Sequence, residues 1–420
     1  MRKRPKVPFF DQTLKMPLPT TLFNLPTQWR QAIFYGFLLI GTGASLPYMP
    51  LWFASKGMSG AQIGLILAIP LLLRAVSGPV IGVWADRFRL YRTPMIFMAA
   101  TGGSLYALLA LWPLFDSNRF LMFVIVWLTG FSCTTSMTPQ TDAMTMELSR
   151  REGFDYSRSR AVGSVCFIVT NISVGFLLKI FGVDLILIWV VMAASLTALA
   201  ARFILPAAPR LEVVAETQAS ETQASEISGW ARVRVLARNA DFIWLMIALG
   251  CIQAAHAFYY GFSSLIWKGE GHDGLSIGYL WATGVSTEVL MLAFGLRLRR
   301  RFGAWNLLLA AGGFSVLRWA VMAFSPPLWL LWPLQMLHAL SFAACYLAGL
   351  ELTRAFAPEG YANLAQTISA AYVMGVMMGL ATLAAGPVYD VLGAGGYGVM
   401  AGMAATGFCV SVWLYRRRAG

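Results

Sequence analysis

Five ionisable side chains sit where the surrounding residues are apolar: Arg74, His256, Glu288, Arg318 and His338. Charge inside a hydrocarbon layer is costly, so such groups line pathways or meet one another. Burial favours the protonated form of a carboxyl, and a nearby guanidinium favours the carboxylate. A Glu288 that meets Arg318 in one conformation and leaves it in another is a proton switch. The same two residues also read as a static buried ion pair. His338 and His256 have the chemistry to relay a proton or hold a solute, and each also reads as a histidine hydrogen-bonded between helices. Glu288, Arg318, His338 and His256 are the expected proton-coupling set.

Arg74 carries a guanidinium, which suits a carboxylate in two-pronged geometry. That carboxylate belongs either to an anionic solute or to Asp142. Around the first buried histidine the chain reads Gln253-Ala-Ala-His256-Ala-Phe-Tyr259-Tyr260-Gly261. Gln253 and His256, three apart, share one face of a helix. Tyr259, Tyr260 and Trp267 form either an aromatic belt at a membrane interface or a stacking wall for an aromatic or sugar ring.

The elements that must position these groups are membrane spans. The chain has 420 residues, of which 58% are hydrophobic and only 12% charged; its mean hydropathy is +0.64. A soluble domain carries about 25% charge. Runs of about 20 apolar residues cross a bilayer, and they fall at roughly 31–54, 60–83, 93–114, 119–141, 161–181, 184–205, 241–267, 275–296, 305–324, 328–352, 363–386 and 396–415. The first apolar run, at residue 31, is long enough to span, so it reads as the first helix and not as a cleaved leader. Cys133, Cys166, Cys251, Cys345 and Cys409 all fall within spans and read as packing residues, not disulfides or metal ligands.

The net charge of +13 reflects topology more than a nucleic-acid partner. Of the 32 Lys and Arg, four (Lys56, Arg119, Lys179, Lys268) fall in loops on one side and two (Arg74, Arg318) within spans, leaving 26 for the other side. Under the positive-inside rule both chain ends are then cytoplasmic. The longest polar stretch, 206–240, holds the tandem repeat ETQAS-ETQAS at 216–225 and reads as a flexible or weakly helical linker. The expected plan is a basic segment 1–30, a six-helix half 31–205, the linker 206–240, a second six-helix half 241–415 and a tail 416–420. Together this is an all-α integral membrane protein of twelve transmembrane helices in two six-helix halves, with a solute site between them near the midplane.

The loop after the second span reads Gly82-Val-Trp-Ala-Asp86-Arg87-Phe-Arg89-Leu-Tyr-Arg92. It resembles the major facilitator signature G-x-x-x-D-R/K-x-G-R/K-R/K, with Arg89 at the second glycine and an incomplete basic pair. Gly82 would allow close helix approach, and Asp86 would sit near a helix N-terminus and an Arg, locking the halves in one state. An ordinary positive-inside loop is the alternative. Gly82, Asp86 and Arg87 are the expected gating set. The matching loop of the second half, Gly295-Leu-Arg297-Leu-Arg299-Arg300-Arg301-Phe-Gly303, lacks the Asp.

From span one to span twelve the chain resembles the phenylpropionate permease-like branch of the major facilitator superfamily, related to the oligosaccharide and nucleoside proton symporters. The stretches that carry the resemblance are Leu46-Pro-Tyr-Met-Pro-Leu-Trp52, Leu71-Leu-Leu-Arg74 through Asp86-Arg87, His256-Ala-Phe-Tyr-Tyr-Gly261, Gly278-Tyr-Leu-Trp281 through Glu288, Arg318-Trp319 and Gln335-Met-Leu-His338. It implies proton-coupled uptake, by alternating access through a bacterial inner membrane, of a small organic solute such as an aromatic carboxylic acid. The partners are then the solute, protons and the lipid bilayer, with the proton gradient in place of a cofactor and a single chain as the working unit. The expected solute-binding residues are Arg74, Gln253, Tyr259, Tyr260, Gln335 and Trp281. Lactose-permease-like symporters also place Glu, Arg and His in spans eight, nine and ten, where this chain has Glu288, Arg318 and His338. They carry a second Glu three residues after the His, where this chain has Ser341.

Rival readings are a sugar or nucleoside proton symporter, a proton-antiport exporter and, from other classes, a solute sensor or an intramembrane enzyme. The sequence holds no HExxH, no Ser-Lys or Ser-His nucleophile arrangement and no paired midplane aspartates, so no enzyme is expected.

Overall fold

A computed structural model describes residues 25–210 and 229–419. The ETQAS repeat and most of the basic N-terminal segment lie outside them. Among the described residues the chain is helical, and its one β-bridge pairs Leu90 with Pro209.

The spans are α1 (Thr27–Ser55), α2 (Gly60–Ala85), α3 (Arg92–Phe115), α4 (Arg119–Glu152), α5 (Tyr156–Phe181), α6 (Leu185–Phe203), α7 (Ala240–Gly269), α8 (Gly274–Ala293), α9 (Gly295–Met322) and α10 (Leu328–Phe356), followed by α11 (362–392) and α12 (Gly396–Ala419). Ten described stretches are long and apolar enough to cross a membrane. One of them, Ala362–Arg418, has 57 residues and is broken at Gly393–Gly395, which yields α11 and α12. The bent helix α2, with 58° between Gly60–Arg74 and Val76–Ala85, completes the twelve. Polar residues between the apolar runs set several starts. Ser59 caps α2 in a capping box with Gln62, Asp155 caps α5, Asn239 caps α7 and Asp273 caps α8.

Several expected boundaries move: α4 runs on to Glu152, α5 begins at Tyr156, α9 begins at Gly295 and α11 runs on to Leu392. α4 and α5 outlast their apolar stretches because a backbone already in register keeps adding hydrogen bonds beyond the lipid, whereas the start of α9 is a separate helical piece set off at Gly303. The described ends of the 206–240 linker contain a short helix, Gly229–Arg238.

Successive spans alternate in direction. The loops around 86–91, 153–155 and 357–361 therefore share one face with residues 25 and 419, called here the basic face. The first six spans pack together through α1 on α5 and α6 and through α3 on α4 and α6. In the later six, α9 packs on α10 and α12, and α12 on α7. The broadest contacts between the two sets are α2 with α11 and α5 with α8. Both are made at the face opposite the basic one, by glycines. A Cβ on Gly175 would fall 2.2 Å from the Gly274 carbonyl oxygen, and one on Gly386 would fall 2.3 Å from that of Gly60. Asp390 at the end of α11 adds a cap to α2, accepting from the Gly60 and Ala61 backbone N–H groups at 2.7 Å each. The opposite face is thereby closed, and the space between α5 and α8 widens toward the basic face.

Candidate functional site

Two breaks in helical geometry build the site. α7 breaks at Ala255–His256, between its two helical pieces. α10 contains Pro333 and, directly after His338, a π-turn over Ala339–Ala343. Such turns recur at functional sites because they re-aim side chains that a regular helix would point elsewhere. Here they bring His256, His338 and Ser341 to Arg318 of α9.

Arg318 is fully buried. Its Nη1 donates to His338 Nδ1 at 3.0 Å and to Ser341 Oγ at 3.2 Å, and its Nη2 donates to Gln335 Oε1 at 2.9 Å. The guanidinium lies 4.9 Å from the Tyr259 ring and 4.4 Å from the Trp319 ring, contacts that favour a buried cation. His338 Nε2 lies 3.1 Å from Glu288 Oε2. The direct Glu288–Arg318 ion pair read from the sequence is therefore replaced by a chain of three. The reason is spatial: the His338 imidazole fills the gap between the carboxylate of α8 and the guanidinium of α9.

Hydrogen-bond complementarity assigns the protons along this chain. A guanidinium only donates, so His338 Nδ1 accepts and its Nε2–H donates to Glu288. His256 Nδ1 lies 3.0 Å from the Gln253 carbonyl, which only accepts, so that nitrogen carries the proton. His256 Nε2 then accepts from Ser341 Oγ at 3.1 Å. Both histidines are neutral in this arrangement. Ser341, noted in the sequence only as a departure from the symporter pattern, is the hydroxyl that joins Arg318 to His256.

The Glu288 end of the chain opens into a cavity of about 890 Å³. On one side it is walled by Tyr259, Tyr260, Trp281, His338 and Phe342, and on the other by α1 and α5, where Arg160 faces it. Tyr259 and Trp281 stack with centroids 4.6 Å apart. Tyr259 and Trp267 are only 1% exposed, so these rings are interior and not an interface belt. The lining reaches Tyr156 and Ser157 at the start of α5 and Ala293 at the end of α8, so the cavity opens at the basic face.

Other expected solute ligands stand elsewhere. Arg74 is exposed at the bend of α2 and lies outside the cavity lining. Its expected alternative partner, Asp142, is taken by other donors. Tyr35 and Tyr156 hydroxyls donate to it at 2.5 and 3.0 Å, and Arg160 Nε lies 3.8 Å away. Arg74 is thus exposed and outside the lining, while Arg160, in the first turns of α5, is part of it. Sequence reasoning missed Arg160 because residues 150–160 read as a basic loop; α5 begins earlier than its apolar run. Gln253 and Gln335 are buried behind the wall, the first donating to the Phe342 carbonyl at 3.3 Å and the second holding Arg318. Neither lines the cavity, and nor do His256 and Arg318.

The gating loop is also rearranged. Asp86 is the C-cap of α2 and pairs with Arg210 beyond α6. Arg210 also donates to Gln140 Oε1 at 2.9 Å and covers the Tyr91 ring at 4.6 Å. This cluster ties α2 and α4 to the start of the linker. Among the described residues, no atom outside its own helical turn lies within 4 Å of where a Gly82 Cβ would stand, so Gly82 makes no close approach to another described helix. Arg87 is exposed.

A family model described as "MFS_1 like family" matches residues 28–396. The chain belongs to that family. It is 30% identical over 378 residues to the "Probable 3-phenylpropionic acid transporter" of Escherichia coli (strain K12), covering 89% of this chain and 94% of that one. It is 26% identical over 363 residues to a "Maltose permease" of Geobacillus stearothermophilus, covering 84% and 86%. Its fold superimposes on a crystal structure of the nucleoside transporter NupG (D323A mutant) with a TM-score of 0.76 at 14% identity, covering 93% and 99%. This MFS_1 like chain is thus a multi-pass secondary transporter of the major facilitator superfamily, as the resemblance implied, and not an enzyme.

Proposed function

We propose that the chain is a proton-coupled importer of a small organic anion, such as an aromatic carboxylic acid, in the bacterial inner membrane. The observation that carries this reading is one cavity with Glu288 on one wall, Arg160 on the other and stacked aromatic rings beside them. A carboxylate meets Arg160 while its ring lies along Tyr260 and Trp281. The 30% identical relative, whose name specifies 3-phenylpropionic acid, supports that substrate class.

The proton site is Glu288. Its Oε2 accepts from His338 whether or not Oε1 carries a proton, so the group titrates without breaking the chain behind it. His338 is a positioning residue. It takes no second proton while Arg318 Nη1 faces Nδ1, so a relay through it requires Arg318 to move. The basic loops support a cytoplasmic open side under the positive-inside rule; on that reading this is the inward-facing state with both chain ends inside. Transport by a single chain then proceeds as the two six-helix halves rock about the central site.

Proteoliposomes with a lumenal pH dye test the proposal. Aromatic acids are expected to acidify the lumen in a protein-dependent manner, after subtraction of passive permeation in empty liposomes; sugars and nucleosides are not. A signal with sugars or nucleosides alone would move the substrate class, and none with any solute would remove proton symport.

A further inference from the structure

A second cleft, with a lining of its own, lies at the basic face between the ends of α9, α10 and α11. Its volume is about 670 Å³. The first two turns of α9 form one wall. They are set off from the rest of that helix at Gly303, whose φ of 77° interrupts the helical backbone. Arg299 and Arg300 project from this wall, while Glu351 and Arg354 come from α10 and Gln366 from α11.

The charges do not cancel. Arg299 Nε is held by Glu351 Oε2 at 2.9 Å. Among the described residues no carboxylate lies within ion-pair distance of Arg300 or Arg354, and both are exposed. Two guanidinium groups on different helices thus face a cleft whose lining carboxylate, Glu351, is held by Arg299. Beside them Leu296 and Leu350 stay 53% and 38% exposed, an apolar edge next to a cationic interior. Guanidinium forks match phosphate oxygens in two-pronged geometry, and basic pockets between spans at the membrane surface suit phosphate headgroups.

We propose that this cleft binds a phosphate-bearing anion, with Arg300 on one side and Arg354 on the other. The anion bridges α9 to α10, the two helices that carry Arg318 and His338. A phospholipid headgroup and a free phosphate share this chemistry.

Native mass spectrometry of the full chain, released from detergent with phosphatidylglycerol, phosphatidylcholine or inorganic phosphate, tests the proposal. Retention of phosphatidylglycerol is expected to exceed that of phosphatidylcholine by roughly tenfold. It should fall to the phosphatidylcholine level in R300A/R354A and persist in R300K/R354K. Displacement of the lipid by millimolar inorganic phosphate would identify the free anion as the ligand, and its failure would identify the headgroup. Equal retention of phosphatidylglycerol by the wild type and R300A/R354A would overturn the site. Thermal unfolding without lipid checks that each variant folds. Should the double variant fail, R354A alone carries the same comparison, with no loss of retention as the overturning result.

Discussion

His338 stands between Glu288 and Arg318, its Nε2 3.1 Å from the carboxylate and its Nδ1 3.0 Å from the guanidinium. The acid is thereby coupled to the buried cation without touching it. A proton gained or lost at Glu288 is felt by Arg318 through one imidazole, and Arg318 also holds Gln335 of α10 and, through Ser341, His256 of α7.

Glu288→Gln keeps an acceptor for His338 but carries no titratable proton. We expect it to abolish uphill accumulation driven by a pH gradient while exchange of labelled for unlabelled solute stays within about threefold of wild type, because binding and rocking are retained. Parallel accumulation and exchange assays in proteoliposomes measure both. Normal accumulation would remove Glu288 from coupling.

Arg160→Ala should weaken transport of acids by at least roughly tenfold, the scale of a charge-assisted hydrogen bond, and leave neutral solutes much less affected. Arg74→Ala, outside the cavity lining, should change either class by less than about threefold. Competition uptake with matched acid and amide solutes reads the difference. Equal losses for both classes in Arg160→Ala would make that residue structural, through Asp142.

Gly175→Ala places a Cβ against the Gly274 backbone, where nothing can yield without moving α5 from α8. The contact closes the opposite face, so the variant should favour the state open on that side. The readout is labelling of L46C, in a background without the five native cysteines, by a membrane-impermeant maleimide added from the opposite face. Faster labelling than in the Gly175 parent is expected, and an unchanged rate would show that the contact does not hold the closed state.

At the opposite face Lys56 Nζ lies 2.5 Å from Asp184 Oδ1, and Trp52 Nε1–H donates to the same oxygen at 3.0 Å. The hydrogen bond from Lys56 holds the Asp184 carboxyl below its ordinary value. A depressed folded-state pKa contributes stability above the unfolded value of about 3.9, lost as pH falls through the folded one. Wild type should therefore lose more thermal stability than Asp184→Asn when pH is lowered from about 5 to 3, as read by unfolding in detergent. Parallel curves for the two proteins would exclude the pair as a source of acid sensitivity.

Run length and charge placement were enough to read twelve spans, a basic face and the buried set Glu288, Arg318, His338 and His256. Each follows from local rules, since a helix rises 1.5 Å per residue and buried charge is rare wherever it occurs. Contacts between spans far apart in the chain were decided only by the tertiary structure. His338 rather than Arg318 meets Glu288 because of how α8, α9 and α10 cross. Arg160 rather than Arg74 lines the cavity because α5 starts before its apolar run and so carries Arg160 within a span. Asp86 pairs with Arg210 because the end of α6 returns beside the end of α2. The sequence determined which ionisable groups lie within apolar runs, Arg74 among them; the packing of helices, through glycine contacts, a broken α7 and a π-turn in α10, decided which of them are buried and which meet.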